Sequence, residues 1–185
     1  MASASGAMNL DLFFWELARV SGLSAFAAVS VSLLTGLSLR TGVLDWVGSN
    51  RVLRSVHEYT TVLWVPLGGV HIVALLFDQT ARVRPEDVVV PFLMPYGTVA
   101  VGLGTITFDV FVLVAVTGLL KRRMNSRAWL WIHRLSYFAF GLVFVHGVLG
   151  GSDFGDPFIS ALTWSTAGLL ALLSAARLLW GRLPA

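Results

Sequence analysis

"VHEYTTVLWVPLGGVHIV", residues 56–73, is almost wholly apolar, yet it carries two histidines, His57 and His71, fourteen residues apart. A second stretch, "IHRLSYFAFGLVFVHGV", residues 132–148, repeats the pattern with His133 and His146, thirteen apart. These four are the only histidines in the chain. Both stretches belong to apolar runs too long and continuous for strands, because lipid-spanning sheets must close into barrels of short alternating segments. They read as membrane helices, and a polar ring inside such a helix calls for a reason.

Composition agrees with that reading. The chain has 185 residues, 56% of them hydrophobic and 12% charged. Soluble domains carry roughly 25% charged residues, so a water-facing surface is hard to build here. The formal net charge is +3, but the basic residues sit at the ends of apolar segments and form no single patch. Nucleic acid is therefore not an expected partner; the lipid bilayer is. The absence of cysteine excludes disulfides, thiol catalysis, Cys-ligated zinc, iron–sulfur clusters and thioether-attached haem. The N-terminus, "MASASGAMNLDLFFWELARV", lacks a basic leader region and places Asp11 and Glu16 early. It makes a poor signal peptide, and residues 1–16 are expected to form an extracytoplasmic segment.

Working outward, the sequence predicts an all-α integral membrane bundle of about five transmembrane helices. They cover residues 17–39, 52–77, 95–120, 128–150 and 158–180, within one domain of residues 17–183. Each is near the roughly 20 residues needed to cross the hydrocarbon core. One side of the membrane would hold Arg40, Arg51, Arg54, Lys121, Arg122, Arg123, Arg127, Arg177 and Arg182; the other holds Arg19, Arg82 and Arg84. The positive-inside rule then places the N-terminus outside and the C-terminus in the cytoplasm of a multi-pass cell-membrane protein. The second loop contains "VVVPFLMPY", residues 88–96, which reads either as a segment folded over the helix ends or as a plain linker.

Helices two and four are parallel, since one span separates them. His57 and His133 would lie near the inner face and His71 and His146 near the outer face, about 20 Å apart along each helix. A haem iron takes one axial ligand on each side of the macrocycle, and imidazole is a common one. Two helices with imidazoles at matched depths are thus a frame for two haems. Histidines so far apart on one helix cannot share a zinc or copper ion. One point resists. At about 100° per residue, fourteen residues return to within roughly 40° of the starting face, whereas thirteen end roughly 140° away. His133 and His146 therefore do not share a face on a straight helix. Pro66, Gly68 and Gly69 offer a kink site in the second helix.

Other residues admit two readings each. Arg51, Arg54, Arg127 and Arg134 cluster near the inner histidines, as haem propionate partners or as ordinary inside charge. Arg82 and Arg84 stand at the outer end. Trp64, Tyr137, Phe138 and Phe140 lie at depths between the two histidine levels, as haem contacts or as core and lipid-facing aromatics. Gly68, Gly69, Gly141 and Gly147 leave room for a macrocycle or for close helix packing. Asp109, deep in the third helix, is a functional candidate or a structural hydrogen-bonding group.

At these residues the chain resembles the ferric reductase-like transmembrane domain family, in the superfamily of NADPH oxidases and ferric reductases. The resemblance covers roughly residues 17–180. It rests on the His57/His71 and His133/His146 pairs and on the run Trp129, His133, Arg134, Leu135 and Tyr137. It implies two haems b, an inner one on His57 and His133 and an outer one on His71 and His146. It also implies electron transfer between a donor and an acceptor across the membrane. The chain ends at Ala185 without a Gly-rich dinucleotide fingerprint, so the donor is expected to be quinol or a separate flavoprotein. The acceptor is ferric iron, oxygen or a redox partner protein. The other reading is a non-catalytic haem-binding subunit or a haem-handling protein.

Overall fold

The computed structural model describes the backbone of residues 2–180 and, within them, the side chains of residues 10–177 and 179. Every long element is an α-helix: α1 (Ala2–Thr41), α2 (Asn50–Phe77), α4 (Thr98–Leu119), α5 (Ser126–Gly150) and α6 (Pro157–Trp180), with a short α3 (Pro85–Val89) between α2 and α4. Five of them are long and apolar enough to cross a membrane, consistent with a multi-pass membrane protein. Arg182, one of the charges used for orientation, lies outside the described residues.

The chain divides into two compact units. Among the described residues, one comprises 2–85 with 168–180, the other 86–167. The first is built on the α1–α2 hairpin and the second on the α4–α5 hairpin.

The first helix differs from expectation. It starts at Ala2, so residues 2–16 continue it and do not form a separate segment. Asp11 and Glu16 do not end it, because local side-chain pairs support the helical turn there. Arg19 lies 3.5 Å from Glu16 and its guanidinium sits 4.2 Å from the centre of the Trp15 ring, both at spacings a helix brings together. At its other end Gly42 takes a left-handed φ of 78° and bonds back to the Ser38 carbonyl at 2.8 Å. That conformation is easy only for glycine. The short loop that follows exposes Trp46, whose indole N–H donates to the Val43 carbonyl at 3.1 Å.

Hydroxyl groups within the spans bond their own helix. Ser30 and Thr35 in α1, Thr60 and Thr61 in α2, Thr107 and Thr117 in α4 and Thr163 in α6 each donate to the carbonyl four residues earlier. This satisfies a polar group that lipid would leave unpaired.

Helix ends are set by short polar side chains. The Asn125 carboxamide accepts from the N–H groups of Arg127 and Ala128 at 2.8 and 3.4 Å and starts α5. Asp156 accepts from Phe158 and Ile159 at 2.9 and 3.0 Å, with Pro157 at the first helical position, where its missing N–H costs nothing. α4 begins at Thr98, later than Pro95, because Gly97 turns the chain at a φ of 60°. The second long loop is more than a linker. Phe92 adopts a φ of 62° and sits against Gly102 of α4, where any Cβ would overlap its ring. Met94 is buried, and the Thr105 hydroxyl donates to the Asp87 carbonyl at 2.8 Å. Residues 85–94 thus fold onto the start of α4.

Candidate functional site

All four histidines lie on α2 and α5, at corresponding positions. His57 and His133 each stand seven residues after the first residue of their helix, Asn50 and Ser126. Each ring is half-buried.

In the first unit, His71 Nδ1 lies 2.8 Å from the Ala18 carbonyl of α1. His57 Nδ1 lies 2.8 Å from the Ser32 carbonyl and 3.3 Å from the Ser32 hydroxyl. That hydroxyl is 2.7 Å from the Thr61 hydroxyl, which itself donates to the His57 carbonyl at 2.6 Å. In the second unit, His146 Nδ1 lies 2.7 Å from the Ala100 carbonyl of α4. A carbonyl can only accept, so in all three cases Nδ1 carries the proton and donates it. The lone pair of a neutral ring then sits on Nε2. This is the state in which a metal-binding histidine is normally found, one nitrogen tied to a carbonyl and the other ready to coordinate.

The His133 ring stacks on an indole. Trp129, one turn earlier on α5, lies 4.9 Å from it, centre to centre, with the planes 14° apart. Lys121 Nζ lies 4.1 Å from the centre of the Trp129 ring, within cation–π range. The indole N–H of Trp129 is buried and has no acceptor, alone in this among the described side chains. Such a donor usually finds a partner.

The other expected residues divide between the units. Arg51, Arg54 and Trp64 belong with His57 and His71; Arg127, Arg134 and Phe138 belong with His133 and His146. Arg51, Arg54, Arg127 and Arg134 are all exposed, and the Arg134 guanidinium lies 4.9 Å from the centre of the Trp131 ring. Trp64 is half-buried. Phe138 is exposed and Phe140 buried, so the two aromatics do not act as one cluster. Asp109 is exposed on α4, and no ion pair among the described residues involves it.

The donor set fits haem. Haem asks of the protein two axial nitrogens with free lone pairs, space beside them, and donors for its carboxylates. Three rings, when neutral, carry their lone pair on Nε2, and the Trp129 N–H is a buried donor without an acceptor. Among the described residues no three His, Asp or Glu side chains converge as a compact ion site would require.

Sequence reasoning missed the glycines that meet the histidine rings. Gly22 and Gly36 of α1 face His71 and His57, and Gly104 of α4 faces His146. The signal was present in the fourteen-residue spacing of Gly22 with Gly36, which matches that of His57 with His71. Compared with known protein families, characterised proteins and solved structures, the chain matches none of them.

Proposed function

We propose that the chain is a di-haem b-type membrane cytochrome, an electron-transfer component of a transmembrane oxidoreductase. The observation that carries the reading is the same arrangement found three times: an imidazole in an apolar span with Nδ1–H on a neighbouring helix carbonyl, which puts the lone pair of the neutral ring on Nε2. Purely structural histidines have no need to repeat one tautomer on two helices, twice at fourteen-residue spacing on α2 and once on α5.

His57, His71, His133 and His146 would supply the axial nitrogens, paired by depth in the sequence as His57 with His133 and His71 with His146. Haem, when bound, supplies the one-electron chemistry. The protein's own part is to hold each ring in one orientation, to keep the proton on Nδ1, and to surround the site with apolar side chains that exclude water. The Nδ1–H bond makes the ring a stronger electron donor through Nε2 and so favours the oxidised metal. Trp129, with Lys121, Arg127 and Arg134 close to it in the chain, would take the anionic edge of a haem. In this reading the N-terminus lies outside the cell membrane and the C-terminus in the cytoplasm. Electrons come from quinol or a separate flavoprotein and pass to ferric iron, oxygen or a partner protein.

The test is an optical spectrum of the purified protein, oxidised and dithionite-reduced, with haem counted by pyridine haemochrome. Two low-spin haems b per chain are expected, with reversible reduction. Protein that contains no haem after expression with ample supply would refute the reading. Haem that exchanges freely and does not cycle would favour a haem-handling role.

A further inference from the structure

The three anchored histidines reach their carbonyls in one way. Each carbonyl belongs to the residue four before a glycine: Ala18 before Gly22, Ser32 before Gly36, Ala100 before Gly104. In an α-helix the carbonyl of residue i points toward the N–H of residue i+4. The Cβ of i+4 leans back over the turn that holds this carbonyl. Any side chain there covers the outer lone pair; glycine uncovers it. The approach of the rings is correspondingly close. A Cβ at Gly22 would lie 2.9 Å from His71 Nδ1, one at Gly36 would lie 3.1 Å from His57 Cε1, and one at Gly104 would lie 2.8 Å from His146 Nδ1. Atoms in contact prefer about 3.5–4.0 Å, so beside an alanine the His71 and His146 rings would have to shift, and the His57 ring would have to give by a few tenths of an ångström.

We propose that Gly22, Gly36 and Gly104 are positioning residues: each opens one backbone carbonyl to an imidazole on the facing helix, which fixes the Nδ1–H tautomer and makes Nε2 the ligand atom. The tautomer follows from the contacts alone; its use in ligation rests on the haem reading above. The chain also holds its own control. Gly118 lies fourteen residues after Gly104 on the same helix and repeats its spacing. Yet a Cβ at Gly118 would meet nothing within 4 Å, and the carbonyl four residues before it, that of Val114, accepts the Thr117 hydroxyl at 3.1 Å. The thirteen-residue spacing of His133 and His146 accounts for the difference. Fourteen residues keep Gly104 and Gly118 within roughly 40° of one face, while thirteen rotate His133 well away from the face of His146.

Two measurements on the full chain in lipid nanodiscs test this. First, nitrogen NMR of the haem-free protein, labelled at histidine, reads the tautomers with no substitution needed. Nδ1-protonated rings are expected at His57, His71 and His146, and an Nε2-protonated ring at any of them overturns the proposal. Second, Gly104→Ala and Gly118→Ala are compared. Gly104→Ala should abolish the Nδ1–H signal of His146, weaken haem retention on the order of 10- to 100-fold, and shift one midpoint potential upward. Gly118→Ala should match the wild type in all three. Equal effects of the two substitutions would overturn the proposal. Should Gly104→Ala fail to fold, Gly22→Ala with His71 as the reporter serves the same comparison. Nδ1–H rings in a protein that never binds haem would support the carbonyl anchors and refute the haem reading alone.

Discussion

Trp129→Phe is expected to act in opposite directions on the haem-free and haem-loaded protein. In the haem-free chain the indole N–H is buried without an acceptor, a situation that costs about 1–3 kcal/mol. Phenylalanine removes that donor. It keeps a flat ring against His133, 4.9 Å away in the wild type, and under Lys121 Nζ, 4.1 Å from the indole centre. Against this stands the lost volume of the fused ring, worth up to about 1.5 kcal/mol in a near-conservative exchange. The haem-free variant should therefore be as stable as the wild type or slightly more so. In the loaded protein the same N–H would meet a carboxylate, and a hydrogen bond to a charged group contributes about 1.5–3 kcal/mol. Its loss should weaken haem retention by roughly tenfold or more, since about 1.4 kcal/mol is a factor of ten. Thermal unfolding of both forms and transfer of haem to an excess of a haem-scavenging protein measure the two effects separately. Equal destabilisation of both forms would show that Trp129 is only packing. Unchanged haem retention would show that its N–H faces no cofactor.

His71→Ala should lower the haem content from two per chain to one and remove one of two midpoint potentials; retention of both haems would break the proposed pairing. Asp109→Asn should leave stability in lipid unchanged or raise it, because the exposed side chain sits midway along a span, where an amide costs less than a carboxylate. A loss of haem from that variant would place the carboxylate at the cofactor. Gly102→Leu should cost about 1–3 kcal/mol by overpacking and make residues 82–96 sensitive to protease, because Phe92 occupies the space a side chain would need.

The helical class and the five apolar spans were legible because length and hydropathy alone set them. The histidine positions were legible too, and so was the rotation between His133 and His146, since it needs only the helical repeat. The first helix starts at Ala2, well before the apolar run at residue 17 that hydropathy marks. What keeps it helical is the Glu16–Arg19 contact and the Arg19 stack on Trp15, pairings visible only once helical spacing is assumed. The glycines that meet the rings were not legible. Gly68, Gly69, Gly141 and Gly147 share helices with the histidines, whereas the close approach is made by Gly22, Gly36 and Gly104 on the helices opposite. Sequence read one helix at a time cannot show which surface a ring will meet. For α1 and α2 alone, the fourteen-residue period of Gly22 and Gly36 read against that of His57 and His71 would have shown it.

Each histidine-bearing helix finds its carbonyl anchors on the helix just before it in the chain: α2 on α1, and α5 on α4. During synthesis α1 enters the membrane first, and its uncovered carbonyls are in place when α2 arrives from the ribosome. His57 and His71 can be pinned before the second hairpin has been made. The ring orientations are thus a product of nearest neighbours in translation order, and the nascent chain can hold its imidazoles in a single protonation pattern ahead of any cofactor.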